Sequence, residues 1–260
     1  MTDFTWESSE KHGLLQRHYS VEPVGSVVPT VEGDFIIPRV EWPELIARQE
    51  ALETSPFHCH KYHHVPVLNQ GSLKYCWAYS VVAGVMNRLA FQGIDPAPYL
   101  SATAVAAIGK NFRNQGGHCS QACAMIQEQG GIPTVDVWPE QSVDRQLAHS
   151  ESVEASRQSS QLVKFVDLGQ NLDGAISMML CDTPVPVTFS LPWWRHAVLG
   201  LQVVDADKSK PANKLERYGI RFVNSYGSGW QKSGFGTFFG RKMEAWEYIA
   251  ITQTMPTREE

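Results

Sequence analysis

The chain has 260 residues, 27 acidic and 22 basic side chains and a formal charge of −5; 43% of its residues are hydrophobic and 19% are charged. This composition can fill a sizeable core, which excludes a disordered tail. Near-neutral charge without a basic run excludes a general binder of nucleic acid or anionic membranes. No segment approaches the roughly 18 uncharged apolar residues of a membrane-spanning helix, and the N-terminus does not have the pattern of a signal peptide. We therefore expect a soluble globular protein.

The five cysteines are an odd number, so they cannot all pair with one another. Together with the missing export pattern, this favours reduced thiols and a cytoplasmic or otherwise reducing compartment. At least one of these cysteines is a candidate reactive thiol or metal ligand.

The first half of the chain has one dominant helix signal. Residues 1–34 are polar and irregular, and we interpret them as an N-terminal extension to a domain at 35–260. Residues 76–92 are apolar on nearly every face and stop at Gly93, which predicts a centrally buried helix. An apolar extended segment is predicted at 34–42 and a short helical pattern follows in 43–64; two more helices are predicted near 101–109 and 119–129.

The second half of the chain reads differently. A polar stretch at 144–161 is interpreted as a solvated connection. Apolar and β-branched runs then predict strands, interrupted by one helix near 171–181; these strands cover 162–166, 185–191, 196–204 and 218–224. Helices first and strands later predict an α+β fold, with a helical half at about 65–145 and a strand-rich half at about 162–250.

Cys76 is the cysteine with the most distinctive setting. It stands at the first turn of the predicted buried helix, where unpaired N–H groups and partial positive charge favour a thiolate. A nucleophilic cysteine also needs an imidazole and a group that orients it. His196 opens one predicted strand and Asn224 ends another, while Gln70 could place an amide donor near a developing oxyanion.

These residues lie in motifs that resemble those of the papain-like cysteine peptidases. The segment Asn69-Gln-Gly-Ser-Leu-Lys-Tyr-Cys-Trp-Ala-Tyr-Ser is similar to the family's active-site segment. His196-Ala-Val-Leu-Gly resembles its histidine strand, and Asn224-Ser-Tyr-Gly-Ser-Gly-Trp its asparagine turn. His196 and Asn224 follow Cys76 by 120 and 148 residues, against about 130–150 in the family. The resemblance covers roughly residues 35–250.

The resemblance implies a two-subdomain fold, with a helical half, a β-barrel-like half and the active-site cleft between them. It implies that Cys76 is the nucleophile, His196 its general base and acid, and Asn224 the group that orients the imidazole. Gln70 and the Cys76 backbone N–H would form the oxyanion hole, and Trp230 would shield the Asn–His hydrogen bond from water. The reaction would be peptide-bond hydrolysis through an acyl-thioester, on a peptide or protein substrate and without a cofactor. We also expect iodoacetamide to modify Cys76 faster than the other four thiols.

Several positions depart from the family pattern. Leu73 replaces the usual first cysteine of the motif, and its disulfide partner is missing too, which agrees with a reducing environment. The substrate cleft is expected to be lined by Lys74, Tyr75, Trp193, Trp194, Tyr226 and Trp230. Lys74 and Tyr75 should make its rim bulkier and more positive, and Tyr226 stands where a Trp is usual. Arg195 and the short loop before His196 leave substrate preference open.

Other interpretations remain beside this one. Cys76 could be a buried structural thiol, and the protein a non-catalytic papain-fold component of a larger assembly. The same chemistry could also serve a transamidase or deamidase. The segments His58–His64 and His118–Cys123 carry zinc-type ligands, but neither has the spacing of a closed four-ligand site. We therefore predict no metal, with a solvated loop at 58–64 and packing thiols at 119 and 123. Nothing in the sequence supports self-inhibition by residues 1–34.

Overall fold

A computed structural model describes residues 13–17, 28–29, 36–158 and 162–255. Seven α-helices lie within these ranges: α1 (Trp42–Leu52), α2 (Pro56–Tyr62), α3 (Cys76–Phe91), α4 (Ala102–Gly109), α5 (Cys119–Glu128), α6 (Glu151–Gln158) and α7 (Leu172–Leu180). The strands are β1 (Val28–Pro29), β2 (Leu162–Asp167), β3 (Val187–Leu191), β4 (His196–Asp205), β5 (Tyr218–Val223), β6 (Phe235–Phe239) and β7 (Tyr248–Met255). The predicted helices at 76–92, 101–109, 119–129 and 171–181 and the four predicted strands are confirmed within a few residues.

The strands form one seven-stranded sheet in the order β1-β2-β7-β3-β4-β5-β6. The β1–β2 pair is parallel and all other neighbours are antiparallel. The α+β fold is therefore confirmed. The barrel-like form expected of the strand-rich half is not, because the described pairings leave β1 and β6 at the two ends and the sheet is not closed.

Helix α3 is the centre of the larger core. Fifteen of its sixteen residues are buried, as its all-round apolar pattern predicts. Alternate residues of β4 (Ala197, Leu199 and Leu201) face this core, while Val198 and Val203 face a second core on the other side of the sheet. The second core contains residues of α1 and α7, so helices cover both faces of the sheet. α3 ends where the chain turns at Gly93, whose φ of +87° favours glycine.

Two local predictions are wrong. Residues 36–41 form no strand, since the chain turns at 39–41 and α1 begins at Trp42, a buried residue of the second core; residues 34–35 lie outside the described ranges. Residues 58–64 are not a solvated loop, because α2 includes His58, Cys59 and His60 and buries all three. The polar stretch predicted as a solvated connection is mostly exposed over its described residues 144–158, where it forms a 3₁₀ turn at Arg145–His149 followed by α6; residues 159–161 lie outside the described ranges.

Candidate active site

Cys76 and His196 stand at the starts of two elements that pack on each other. α3 begins at Cys76 and β4 at His196, and the inner face of β4 lies in the α3 core. The backbone N–H of Ala197, the residue after His196, hydrogen-bonds to the Cys76 sulfur. Packing of α3 on the sheet therefore places the sulfur beside the first residues of β4, although the two are 120 residues apart in the chain.

The geometry around Asn224 fixes the tautomer of His196. His196 Nε2 lies 2.6 Å from Asn224 Oδ1, and the Ser225 N–H donates to the same oxygen at 2.8 Å. A backbone N–H can only donate, so this atom is the amide oxygen, and Nε2 must carry the hydrogen that it receives. Both side chains are buried, which strengthens this hydrogen bond. Asn224 thus orients the ring and leaves Nδ1 as the nitrogen that can accept a proton.

Gln70 is held between the helical and the strand-rich sides of the molecule. Its backbone N–H donates to Ser225 O at 2.8 Å, and its Oε1 accepts from Ser225 Oγ at 2.6 Å. Its Nε2 donates to Leu73 O at 2.6 Å. The glutamine amide is therefore oriented with its nitrogen toward the turn that leads into Cys76.

Aromatic rings surround the imidazole. The Tyr226 ring stacks on His196 with centroids 5.0 Å apart and 25° between planes, and the Trp194 centroid lies 4.5 Å from that of His196. Trp230 packs on both of these rings. Apolar rings exclude water, so the shielding predicted for Trp230 alone is shared with Trp194 and Tyr226.

The Cys76 thiol is completely buried. Burial raises its pKa above the ordinary value, and the N–H groups of Ala197, Trp77 and Cys76 only partly offset this. This conformation shields Cys76 from reagents, and its faster modification by iodoacetamide stays a prediction. Four of the five cysteines are buried, and Cys181 is the more accessible one.

The other predicted cleft residues have different surroundings. Lys74 is exposed, but Tyr75 is completely buried and donates its hydroxyl to Arg113 O. Tyr75 therefore packs inside the protein and does not form part of a cleft rim, which corrects that prediction. Trp193 stacks on Trp194 and donates its indole N–H to Lys242 O, so the short loop before His196 is anchored on the strand-rich side.

Among the described residues, no group of three or more His, Cys, Asp or Glu side chains is arranged to hold a metal ion. The same ranges contain no helix of the length and apolar character needed to cross a membrane. The site's polar groups are a sulfur, an imidazole and two side-chain amides, a set that contains a nucleophile, a base and a group to orient the base.

Three features of the site were missed by sequence reasoning. Ser225, which hydrogen-bonds to Gln70, directly follows Asn224. Its position next to a predicted site residue could have identified it. The Ala197 N–H contact depends on how α3 packs on β4 and has no sequence signal. The third feature is an acidic pair, Asp167 and Glu247, that binds Arg17. The single glutamate in the apolar run Trp246-Glu-Tyr-Ile-Ala-Ile could have indicated a buried charge there.

Comparison with known proteins agrees with this geometry. The structure is similar to procathepsin L2 from the larval midgut of Tenebrio molitor (17% identity, 94% of this chain and 78% of that one, TM-score 0.65). It is also similar to bromelain from Ananas comosus in complex with the E64 inhibitor (19% identity, covering 75% of this chain and 96% of that one, TM-score 0.55). At these identities the likeness shows the fold. The oryzain beta chain of Oryza sativa subsp. japonica is 28% identical to this chain over 127 residues. The match covers 47% of this chain and 26% of that relative's length.

A family model decides the assignment, because it matches three quarters of the chain. It is described as papain family cysteine protease, and it matches residues 57–254. That range contains the start of α3, the start of β4 and the turn at Asn224, the three places that meet in the site. The chain therefore belongs to the papain family of cysteine proteases.

Proposed function

We propose that this protein is a cysteine peptidase in which Cys76 is the nucleophile. The observation that carries this proposal is the Asn224–His196 hydrogen bond at the start of β4, beside a Cys76 sulfur that hydrogen-bonds to the Ala197 N–H. A nucleophile, a base and a group that orients the base are the three parts of this chemistry.

In the first half of the reaction, the Cys76 sulfur gives its proton to His196 Nδ1 and attacks the carbonyl carbon of a peptide bond. The new C–S bond leaves negative charge on the carbonyl oxygen. The Cys76 backbone N–H and Gln70 Nε2 stabilise that charge. An amide nitrogen has two hydrogens, and only one of those on Gln70 is used by Leu73 O. The C–N bond then breaks as Nδ1 protonates the leaving amine.

In the second half, water gives a proton to His196 Nδ1 and its oxygen attacks the thioester carbon. The C–S bond breaks, the acid product leaves and the sulfur recovers the proton. Throughout, Asn224 Oδ1 accepts from Nε2–H and stabilises the imidazolium.

The burial of Cys76 supports a second candidate, a papain-fold protein without turnover that binds a partner or forms part of a larger assembly. A thiol with a raised pKa and no exposed surface is also what a structural cysteine has. Both candidates predict the same fold, but only the first predicts turnover that depends on Cys76.

Replacement of the nucleophile separates the two candidates. We expect Cys76→Ala to abolish hydrolysis of a peptide mixture followed by mass spectrometry, with an unchanged circular dichroism spectrum and melting temperature. Cys123→Ala is the matched control, since Cys123 is buried on α5 and should leave turnover in place. If the Cys76→Ala protein cleaves peptides as the parent does, Cys76 is not the nucleophile.

A further inference from the structure

Helix α1 and the far end of β4 enclose a pocket that the proposed site does not use. Its volume is about 250 Å³, and Pro43, Ile46 and Val203 give it an apolar wall. β4 begins at His196 and reaches the pocket at residues 203–205. At about 3.3 Å per residue, the pocket lies roughly 25 Å along the strand from the imidazole. It is therefore separate from the proposed active site.

The helical wall of the pocket lies outside the part of the chain that the family model matches. The match begins at residue 57, whereas α1 ends at Leu52. The helix is held firmly all the same, because Trp42 and Ile46 lie in the second core and Gln49 Nε2 donates to Met179 O on α7 at 2.9 Å. The pocket is therefore built by an ordered element that is not part of the matched family range.

A buried glutamine joins an acid and a base of the pocket without letting them pair directly. Gln202 is 2% exposed. Its Nε2 donates to Glu50 Oε2, and its Oε1 accepts from Arg221 Nη1 at 2.6 Å. The Arg221 guanidinium also lies over the Phe57 ring, with Cζ 4.4 Å from the ring centroid, which limits its movement. Glu50 and Arg221 both line the pocket, so opposite charges are held there at a separation set by one amide.

Two further charged residues line the pocket, Asp205 and Lys208. Arg217 donates to both oxygens of Asp205, at 2.6 and 2.7 Å, so the charge of Asp205 is balanced within the protein. Lys208 is exposed, and within the described ranges neither its ammonium group nor the Glu50 carboxylate is in an ion pair. One carboxylate and two cationic groups therefore remain available to a ligand.

We propose that this pocket binds a small zwitterion with an aliphatic side chain, a free α-amino acid or a dipeptide. The ammonium group of the ligand pairs with Glu50, and its carboxylate pairs with Lys208 and Arg221. A ligand with a single charge satisfies only one side of the pocket, whereas a zwitterion satisfies both. The volume is below the roughly 300 Å³ at which pockets for drug-sized ligands begin. Only the origin of a bound dipeptide as a cleavage product rests on the proposed function.

Calorimetry on the full chain with Cys76→Ala tests this site without turnover. The ligands are L-leucine and glycyl-L-leucine, and the tighter one identifies the source as a free amino acid or a peptide. The matched ligands are the N-acetyl derivative of each, which has no ammonium group, and the amide of each, which has no carboxylate. We expect these to bind at least about 10-fold more weakly, the loss typical of one charged hydrogen bond. The proposal is wrong if neither zwitterion binds, or if a derivative with one charge binds as tightly.

Charge variants assign the binding to this pocket. In the same protein, Glu50→Gln should weaken binding of the zwitterion by at least about 10-fold. Glu44→Gln, at an exposed position of α1 outside the pocket, should not. Lys208→Ala should also weaken binding, with the exposed Lys214→Ala as its control. Unchanged affinity in the Glu50→Gln protein would show that the ligand binds elsewhere.

A variant that fills the pocket tests its shape and leaves every charge in place. Ala47 is an exposed residue of α1 that lines the pocket. Ala47→Phe should abolish binding with an unchanged circular dichroism spectrum and melting temperature, because the ring occupies the space of the ligand. A folded Ala47→Phe protein that binds the zwitterion as the parent does would contradict the location.

Initial rates separate this inference from the proposed function. With Cys76 present and no zwitterion added, Glu50→Gln and Ala47→Phe should cleave peptides at the rate of the parent, because both positions lie far along β4 from His196. Zwitterion binding without cleavage by any form would keep the pocket and remove the peptidase. Cleavage without zwitterion binding would remove the pocket and leave the peptidase.

Discussion

The tautomer of His196 depends on one amide oxygen. Asn224 Oδ1 accepts from both the Ser225 N–H and His196 Nε2, so the amide cannot be flipped without placing two donors against each other. A side chain that is fixed in this way fixes the ring that it binds, and with it the ring nitrogen that carries the hydrogen. In the structure, Asn224 therefore holds the imidazole in one orientation.

Asn224→Ala should reduce kcat by about 100-fold, the contribution of a well-positioned general base. The ring would lose its acceptor and spend less time with Nδ1 toward the sulfur. Steady-state kinetics on a cleaved peptide measure this, with Asn213→Ala, at an exposed position, as the matched control. A higher KM with an unchanged kcat would show that Asn224 binds substrate and does not orient the base.

At the scale of elements, the site depends on how closely α3 approaches the sheet. Gly84, in the middle of α3, is the contact point, because an added Cβ would lie 2.0 Å from Ile251 Cδ1 and 3.1 Å from Leu199 Cδ1. Ile251 is on β7 and Leu199 on β4, the strand that begins at His196. A larger residue at 84 would push the helix that begins at Cys76 away from the strand that carries the imidazole.

Gly84→Ala should destabilise the protein by about 1–2 kcal/mol, because overpacking in a filled core outweighs the better helix propensity of alanine. Ile251→Val removes the methyl group that the new Cβ meets, so the double variant should recover part of that loss. Urea unfolding of the four proteins gives the coupling free energy. If the two substitutions are strictly additive, α3 and β7 are not in contact at this point.

At the scale of the whole molecule, one buried histidine links stability to pH. His60, on α2, is 2% exposed, and neither of its ring nitrogens has a hydrogen-bond partner among the described residues. Burial lowers its pKa from 6.5 to about 4. Between these two values the unfolded chain binds a proton that the folded protein does not, so stability falls as pH is lowered from 6.5 to 4. The loss is about 3 kcal/mol at most.

His60→Leu should therefore weaken the dependence of the free energy of unfolding on pH below 6.5. Urea unfolding at pH 4.5, 5.5 and 6.5 measures the slope for the parent, for this variant and for His149→Leu, a control at an exposed position. Only the His60 variant should lose part of the dependence. An unchanged slope would show that His60 is solvated and titrates normally.

The sequence by itself determined the elements that carry the site and the residue types in it. An all-round apolar run can only be a buried helix, and alternating apolar strands must face a core, so α3, β4 and β5 could be predicted from local pattern. The exposed loop predicted at 58–64 was wrong because a short histidine-rich segment has no such pattern, and tertiary packing buried it as α2.

Only the tertiary structure decided what surrounds the sulfur. Whether Cys76 is exposed, which nitrogen of His196 binds Asn224, and that Arg17 meets Asp167 and Glu247 all depend on contacts between residues that are not neighbours in the chain. Burial and the sum of neighbouring charges set a pKa, and neither is a property of a local segment. The sequence therefore identifies the candidate reacting groups, and the packing of the chain sets their access and protonation.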